Sequence, residues 1–156
     1  MEDYNILLEN WLKRTQYSQT GHYIASEKLL RMHYFIGIPL ITLSTFVGTG
    51  LFYSLLENSS SSLKILLTIA SLLTTILASL QTFLRLSEKS EKHRSKAVVY
   101  GALKREIEQK KVDCPEKEIH NFIEDIRKRW DLVAQDSPIT PHKIRKDIKK
   151  IIRDDI

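Results

Sequence analysis

The sequence predicts an all-α protein: a two-helix transmembrane hairpin whose long helices extend into a cytosolic helical module. Residues 34–56 and 65–84 form runs of 23 and 20 residues without one charged side chain. At about 1.5 Å rise per helical residue, a run of this length crosses the roughly 30 Å hydrocarbon core of a bilayer. The rest of the chain is rich in charge and repeats its apolar residues at helical spacing.

The length and composition limit the class of protein. A chain of 156 residues supports about one ordinary domain. A hydrophobic content of 42%, with five Gly and four Pro, excludes a disordered chain. Cys114 is the single cysteine, which excludes an intramolecular disulfide and a multi-thiolate zinc site and favours a reducing cytosolic face.

The flanking charges predict the topology of the hairpin. Residues 57–64 form a polar, serine-rich external turn between the runs, which we take as the first and second transmembrane helices. The segment 1–33 carries four Lys and Arg residues and the segment 85–156 carries nineteen, whereas the turn carries only Lys64. The positive-inside rule then places both termini in the cytoplasm of a multi-pass membrane protein. A soluble bundle that buries both runs is the alternative, but its other helices have apolar stripes of their own to bury.

Helix signals outside the runs predict five further features. An N-terminal helix starts at Asp3 or Asn5 and ends near Gly21, and a second start at Ser18 or Gly21 leads into the membrane. No Pro interrupts the chain from Leu63 to Lys110, which predicts one continuous helix about 70 Å long. Pro115 suits the first turn of a new helix, and residues 143–156 predict a short basic helix.

The helix after Pro115 carries an apolar stripe at spacings of three, four and seven residues. Its members are Ile119, Phe122, Ile123, Ile126, Trp130 and Val133. Such a stripe needs a partner. The candidates are the stripe of Val99, Leu103 and Ile107, the N-terminal helix, or a second subunit.

Small and hydroxylated residues gather on one side of each predicted span. The predicted pore-lining or helix-packing residues are Thr45, Gly48, Thr49, Thr68, Ser71, Thr75 and Thr82. Such residues allow close approach and hydrogen bonding between membrane helices, either within the hairpin or between subunits. Alternatively, part of this face lines a water-filled path in an oligomer. The spans hold no ionisable residue, which argues against a proton relay or a coupled transporter.

No catalytic, cofactor-binding or metal-binding set stands out, so an enzyme is not expected. None of the five histidines has a Cys or acidic partner at metal-ligand spacing. Antiparallel pairing of the helices about residue 60 brings His22 towards His93. Together with Glu91 and Tyr100, these histidines are predicted to form a polar cluster at the membrane-proximal base of the helices, with a structural or switch-like role. A nucleic-acid partner is not expected, because no dedicated motif or aromatic platform is present.

Two stretches of sequence resemble the SLATT family, the two-transmembrane effector domains associated with SMODS nucleotide cyclases and SLOG sensors. The first stretch runs from His22 to Thr49 and includes His33 and Gly48; the second runs from Leu80 to Glu108 and includes His93 and Tyr100. The resemblance covers roughly residues 22–129 and treats the chain as a single SLATT-like domain.

The resemblance implies an effector of a bacterial antiviral or conflict defence system in the inner membrane, which oligomerises and forms a pore or disrupts the membrane when a partner triggers it. No cofactor is implied. The implied partners are lipid, further copies of the chain, and a separate sensor, such as a nucleotide cyclase, a reverse transcriptase or a SLOG-type protein. From a different class, the alternative is a non-conducting scaffold that recruits a cytosolic partner through the C-terminal stripe.

Overall fold

The protein is all-α, as predicted, and the computed structural model gives the bounds of four helices in the described part of the chain. The structure describes residues 2–56, 60–113 and 116–141, together with Ile144 and Ile148. Of these residues 94% are helical and none lies in a strand. The helices are α1 (Glu2–Leu56), α2 (Ser61–Leu84), α3 (Leu86–Asp113) and α4 (Glu116–Gln135).

Helix α1 runs without a break through Gly21, so the predicted helix end at Gly21 and the second start at Ser18 or Gly21 are wrong. Gly21 is buried inside α1. A Cβ atom at this position would lie 2.9 Å from Cδ1 of Ile148. The glycine therefore provides room for a residue far along the chain and does not terminate the helix.

Helix α2 begins at Ser61, earlier than the predicted turn allows. Ser60 is the N-cap: it has extended backbone angles, and its Oγ accepts a hydrogen bond from the Leu63 amide at 3.4 Å. The polar turn predicted over residues 57–64 thus ends by Ser60, and Lys64 lies within the helix. Residues 57–59 of that turn lie outside the described residues.

The continuous helix predicted from Leu63 to Lys110 is wrong, because the chain breaks at Arg85. Arg85 has φ 45° and ψ 45°, the left-handed conformation that ends α2 at Leu84. Among the described residues it is the one non-glycine residue with a positive φ. The next residue, Leu86, begins α3 in a buried position, only 5% exposed. The break coincides with the predicted end of the second span. Pro115, predicted in the first turn of the following helix, lies outside the described residues, and α4 begins directly after it.

The chain divides into two compact units. The hairpin unit comprises residues 29–88, and the terminal unit comprises residues 1–28 and 89–156. The terminal unit combines the first half of α1 with α3 and α4 around a hydrophobic core. The buried members of this core are Leu8, Trp11, Tyr100, Leu103, Ile107, Ile119 and Ile126.

A second, smaller cluster of the terminal unit joins Ala25 of α1 to Ile144 and Ile148. These two isoleucines are 3% and 0% exposed. They belong to the basic helix predicted over residues 143–156, of which the other residues lie outside the described part of the chain. Ile144 and Ile148 therefore pack against α1 through their apolar side chains.

Candidate functional site

The two apolar helices of the hairpin unit have almost no cover of protein. The most apolar 18-residue stretches within Tyr4–Ser54 and Ser61–Val112 are only 6% and 11% buried. Phe35, Phe52 and Phe83 are 81%, 73% and 83% exposed. The soluble-bundle alternative requires these surfaces to be covered by other helices. An exposed surface of Phe, Ile and Leu that runs along both helices is suited instead to contact with lipid.

Contacts within the hairpin unit include small and aliphatic residues and one side-chain amide. Leu67 and Ala70 are the buried residues of α2. A Cβ atom on Gly50 of α1 would lie 2.5 Å from Cδ2 of Leu67, so the two helices approach closely at this glycine. Gly37, also on α1, lies against the side-chain amide of Gln81, with 3.5 Å from a Cβ position to Nε2. Gln81 Oε1 is buried and has no hydrogen-bond partner among the residues that the structure describes.

The predicted Ser/Thr face lies outside this contact. All seven predicted residues are exposed, namely Thr45, Gly48, Thr49, Thr68, Ser71, Thr75 and Thr82. A Cβ atom on Gly48 would meet nothing within 4 Å. Other residues therefore pack the two helices of the hairpin against each other. A role of the seven exposed residues between subunits or along a water path stays a prediction.

The threonines of this face satisfy their own hydroxyl groups. Thr75 Oγ1 donates to the Ser71 carbonyl oxygen at 3.0 Å, and Thr82 Oγ1 donates to the Ala78 carbonyl oxygen at 3.0 Å. Thr45, Thr49 and Thr68 bond to the carbonyl oxygen four residues earlier in the same way. A hydroxyl bonded within its own helix costs little when it faces lipid, since its proton is not left without an acceptor.

One flank of the hairpin joins part of this face to a groove. The groove has a volume of about 310 Å³ and is lined by Val47, Leu51, Ser54, Lys64, Leu67, Thr68 and Ser71. Gly48 lies three residues before Leu51, and Thr75 lies four residues after Ser71, so each is a neighbour on the same helix face. Small and hydroxylated residues from both helices therefore continue along this flank.

The predicted approach of His22 to His93 is found in the terminal unit. Their Nδ1 atoms lie 2.9 Å apart, and the two side chains are 4% and 6% exposed. One imidazole donates its Nδ1 proton and the other accepts it. The ring of Tyr100 stacks on His22 with 5.5 Å between centroids and 21° between planes. Glu91, predicted to belong to this cluster, is exposed and makes no hydrogen bond to either histidine among the described residues.

Burial keeps the histidine pair neutral. It lowers the pKa of His22 from 6.5 to about 4, with smaller contributions from the charges of His93 and Lys96. Burial also lowers the pKa of His93. An uncharged pair can share one proton in a hydrogen bond, whereas two imidazolium rings would each donate and repel.

The histidine pair extends into a serine pair that the sequence analysis missed. Ser90 Oγ donates to the Ser26 carbonyl oxygen at 2.8 Å, and the two Oγ atoms lie 3.0 Å apart. Both serines are buried. The signal was present in the spacing, because Ser26 lies four residues after His22 and Ser90 lies three before His93. Antiparallel helices that bring the histidines together must bring the serines together one turn away.

The predicted apolar stripe of α4 packs inside the chain. Ile119 and Ile126 are buried with Leu103 and Ile107 of α3 and with Leu8 and Trp11 of α1, and Phe122, Ile123, Trp130 and Val133 are partly buried against the same core. Trp130 meets Trp11 edge to face at a centroid distance of 5.7 Å. Both intramolecular partners named for this stripe are thus used, α3 and the N-terminal helix. The described residues contain no group of three or more His, Cys, Asp or Glu side chains placed to hold a metal ion.

These features define a membrane protein with two apolar spanning helices and a helical terminal unit. The family model for the SMODS and SLOG-associating 2TM effector domain family 4 matches residues 5–114. The chain belongs to this family, as the resemblance indicated, and is a membrane effector domain of the kind associated with defence systems. No curated protein and no solved structure matches the chain.

Proposed function

We propose that this protein is an antiviral effector in the bacterial inner membrane that assembles into an oligomer and permeabilises the membrane when a partner sensor triggers it. The observation that carries the proposal is the exposed Ser/Thr/Gly face of the hairpin unit. The same unit exposes large apolar side chains suited to lipid, such as Phe35 and Phe83. A polar face without a partner in one chain is a natural place for contact with a second chain or with water.

The hydrogen bonds of this face suit an effector that stays inactive in the membrane until it assembles. In a single chain the hydroxyls of Thr75 and Thr82 are satisfied within α2, so the face tolerates lipid. A threonine oxygen keeps a free lone pair after donating its proton. In an assembly the same oxygens would accept hydrogen bonds from water or from a neighbouring helix. Assembly therefore changes what the face contacts without breaking its internal bonds.

The steric features of the flank support contact with a second copy. Gly48 offers open space on α1, and the adjacent groove reaches Thr68 and Ser71 on α2. Small residues allow membrane helices to approach closely, which is the main source of helix association in lipid. The distribution of Lys and Arg favours a cytoplasmic location for the terminal unit, where a sensor would reach it.

Leakage from liposomes tests this function. The full chain is reconstituted at rising protein-to-lipid ratios, with and without the candidate sensor, and release of a trapped dye is measured. We expect release to rise more steeply than in proportion to protein, because assembly is required. Combined Thr75→Leu and Thr82→Leu substitutions should reduce release at least about tenfold, since they remove hydroxyls from the proposed water path.

The matched control introduces leucine on the other side of the same helix. Ile69→Leu with Ile76→Leu adds no apolar surface, because both isoleucines are exposed already at 54% and 48%. This variant should release dye like the natural chain. The pore proposal fails if the reconstituted protein releases no dye in any triggered state, or if both leucine pairs behave alike.

The scaffold alternative has less support. Its recruiting surface, the stripe from Ile119 to Trp130, is packed against α1 and α3 of the same chain. Partner capture through that stripe would require the terminal unit to open and expose its core.

A further inference from the structure

The terminal unit carries an open cavity of about 480 Å³ between α1, α3 and α4. The proposed function depends on the Ser/Thr face of the hairpin unit and does not involve this cavity. Its lining residues are Lys13, Arg14, Tyr17, Ser18, Tyr100, Trp130 and Ala134. The volume lies in the range of pockets that hold small molecules. The lining combines two cations with three aromatic side chains and contains no carboxylate.

The two cations differ from several basic side chains of this unit that form salt bridges. Lys96, Lys104, Lys111, Lys128 and Arg129 each pair with a carboxylate. Lys13 and Arg14 form no salt bridge with a carboxylate among the described residues, and both are exposed. Two adjacent cations at a cavity whose lining contains no carboxylate form a region of positive potential that favours an anion.

Aromatic contacts hold one of these cations in place. The Arg14 guanidinium carbon lies 5.3 Å from the centroid of a Trp130 ring. Trp130 is itself fixed against Trp11 in the core. A guanidinium held against an indole keeps its N–H groups available for an oxyanion, and its planar fork matches a phosphate.

We propose that this cavity binds a small anionic ligand that contains an aromatic ring, of the nucleotide class. Phosphate oxygens would contact Lys13 and Arg14, and the ring would lie against the aromatic lining formed by Tyr17 and Trp130. A bare anion would leave the aromatic lining unused, and an uncharged aromatic compound would leave both cations unpaired. The proposal concerns ligand binding and does not depend on pore formation.

The two tryptophans provide a direct readout of binding. They are the only Trp residues in the chain, and Trp130 lines the cavity. The full chain in detergent micelles is titrated with the N-methylanthraniloyl derivatives of ATP and GTP, and energy transfer from tryptophan to the probe is recorded. We expect saturable transfer that unlabelled nucleotide reverses. Adenosine alone and tripolyphosphate alone should each compete at least about tenfold less well than ATP.

Substitutions locate the site. Lys13→Gln with Arg14→Gln should weaken probe binding about 10- to 100-fold, as expected for the loss of charged hydrogen bonds. The control, Arg127→Gln with Lys128→Gln, removes the same charge from exposed positions of α4 that do not line the cavity. It should leave binding within about twofold. Thermal melting of each variant verifies that it is folded.

Three results would overturn the proposal. The first is an absence of saturable transfer with both nucleotide probes. The second is equal binding by the two double variants, which would place the ligand elsewhere. The third is competition by tripolyphosphate as strong as that by ATP, which would show that the aromatic lining contributes nothing. Dye release from liposomes is a separate measurement, so a failure of this site and a failure of the pore proposal are distinguishable.

Discussion

The hairpin unit and the terminal unit are both helical, yet they distribute apolar side chains in opposite ways. In the terminal unit Leu8, Ile107 and Ile126 are at most 1% exposed. In the hairpin unit Phe35 and Phe83 are more than 80% exposed. The comparison teaches that the helical period alone does not say where an apolar residue goes. The surroundings decide: water drives side chains into a core, whereas lipid lets them remain on the surface.

The largest expected effect comes from truncating one isoleucine in each unit. Ile126→Ala removes a fully buried side chain and should lower the free energy of unfolding by about 2–5 kcal/mol. Ile69→Ala, at a position 54% exposed in the hairpin, should cost less than about 1 kcal/mol, because no cavity forms. Equilibrium unfolding of the two variants in the same detergent measures the difference. Equal losses in the free energy of unfolding would contradict the view that the terminal unit buries its apolar side chains in a core while the hairpin unit exposes them to lipid.

Acid should act on the terminal unit through the histidine pair. Because the pKa of His22 falls from 6.5 to about 4 on folding, the folded state binds fewer protons than the unfolded state between these values. The stabilisation is therefore complete above about pH 6.5 and is lost as the pH falls towards 4, by on the order of 3 kcal/mol for His22. Unfolding followed against pH reports this slope.

Two histidine variants separate this effect from general acid sensitivity. His22→Leu with His93→Leu should flatten the stability profile between pH 4 and 6.5, since both titrating groups are absent. His33→Gln removes a histidine of the hairpin unit that does not contact the pair, and it should keep the slope. A slope that survives the double substitution would assign the acid sensitivity to other groups.

Two neighbouring glycines test the packing inside the hairpin. Gly50→Val places a side chain where a Cβ atom alone would lie 2.5 Å from Leu67, a residue that is 4% exposed. It should destabilise the hairpin by about 1–3 kcal/mol. Gly48→Val makes the same change in helix propensity, but its side chain would enter open space. It should leave the stability of the single chain almost unchanged. Unfolding in mixed micelles compares the two, and similar losses would show that Gly48 is already in contact.

Much of this architecture is visible in the sequence because it depends on local composition. Residues 34–56 and 65–84 mark the spans by their lack of charge, and the stripe from Ile119 to Val133 marks a packed helix by its period. The meeting of His22 and His93 follows from antiparallel pairing about a short turn. Each of these predictions requires only the helical repeat and the length of the connection.

The features that could not be predicted depend on contacts between distant residues. Gly21 has the local signal of a helix end, but Ile148 fixes it inside α1. Arg85 has no local signal of a break, yet it adopts a left-handed conformation next to the buried Leu86. The Ser/Thr face could be recognised from the sequence. Its direction, outward from the hairpin, depends on the register set by Gly50 and Leu67.

The smallest expected effect concerns ion pairs on the terminal unit. Both guanidinium ends of Arg129 bond to Glu106, at 2.8 and 2.7 Å, and join α4 to α3. Lys128 instead pairs with Glu124 within α4, at 2.8 Å, with both side chains about half exposed or more. Arg129→Met should cost about 1 kcal/mol, and Lys128→Met at most about 0.5 kcal/mol. Salt should shrink both losses through screening. A loss for Arg129→Met as large as that for Ile126→Ala would mean that charge, and not the apolar core, holds the terminal unit together.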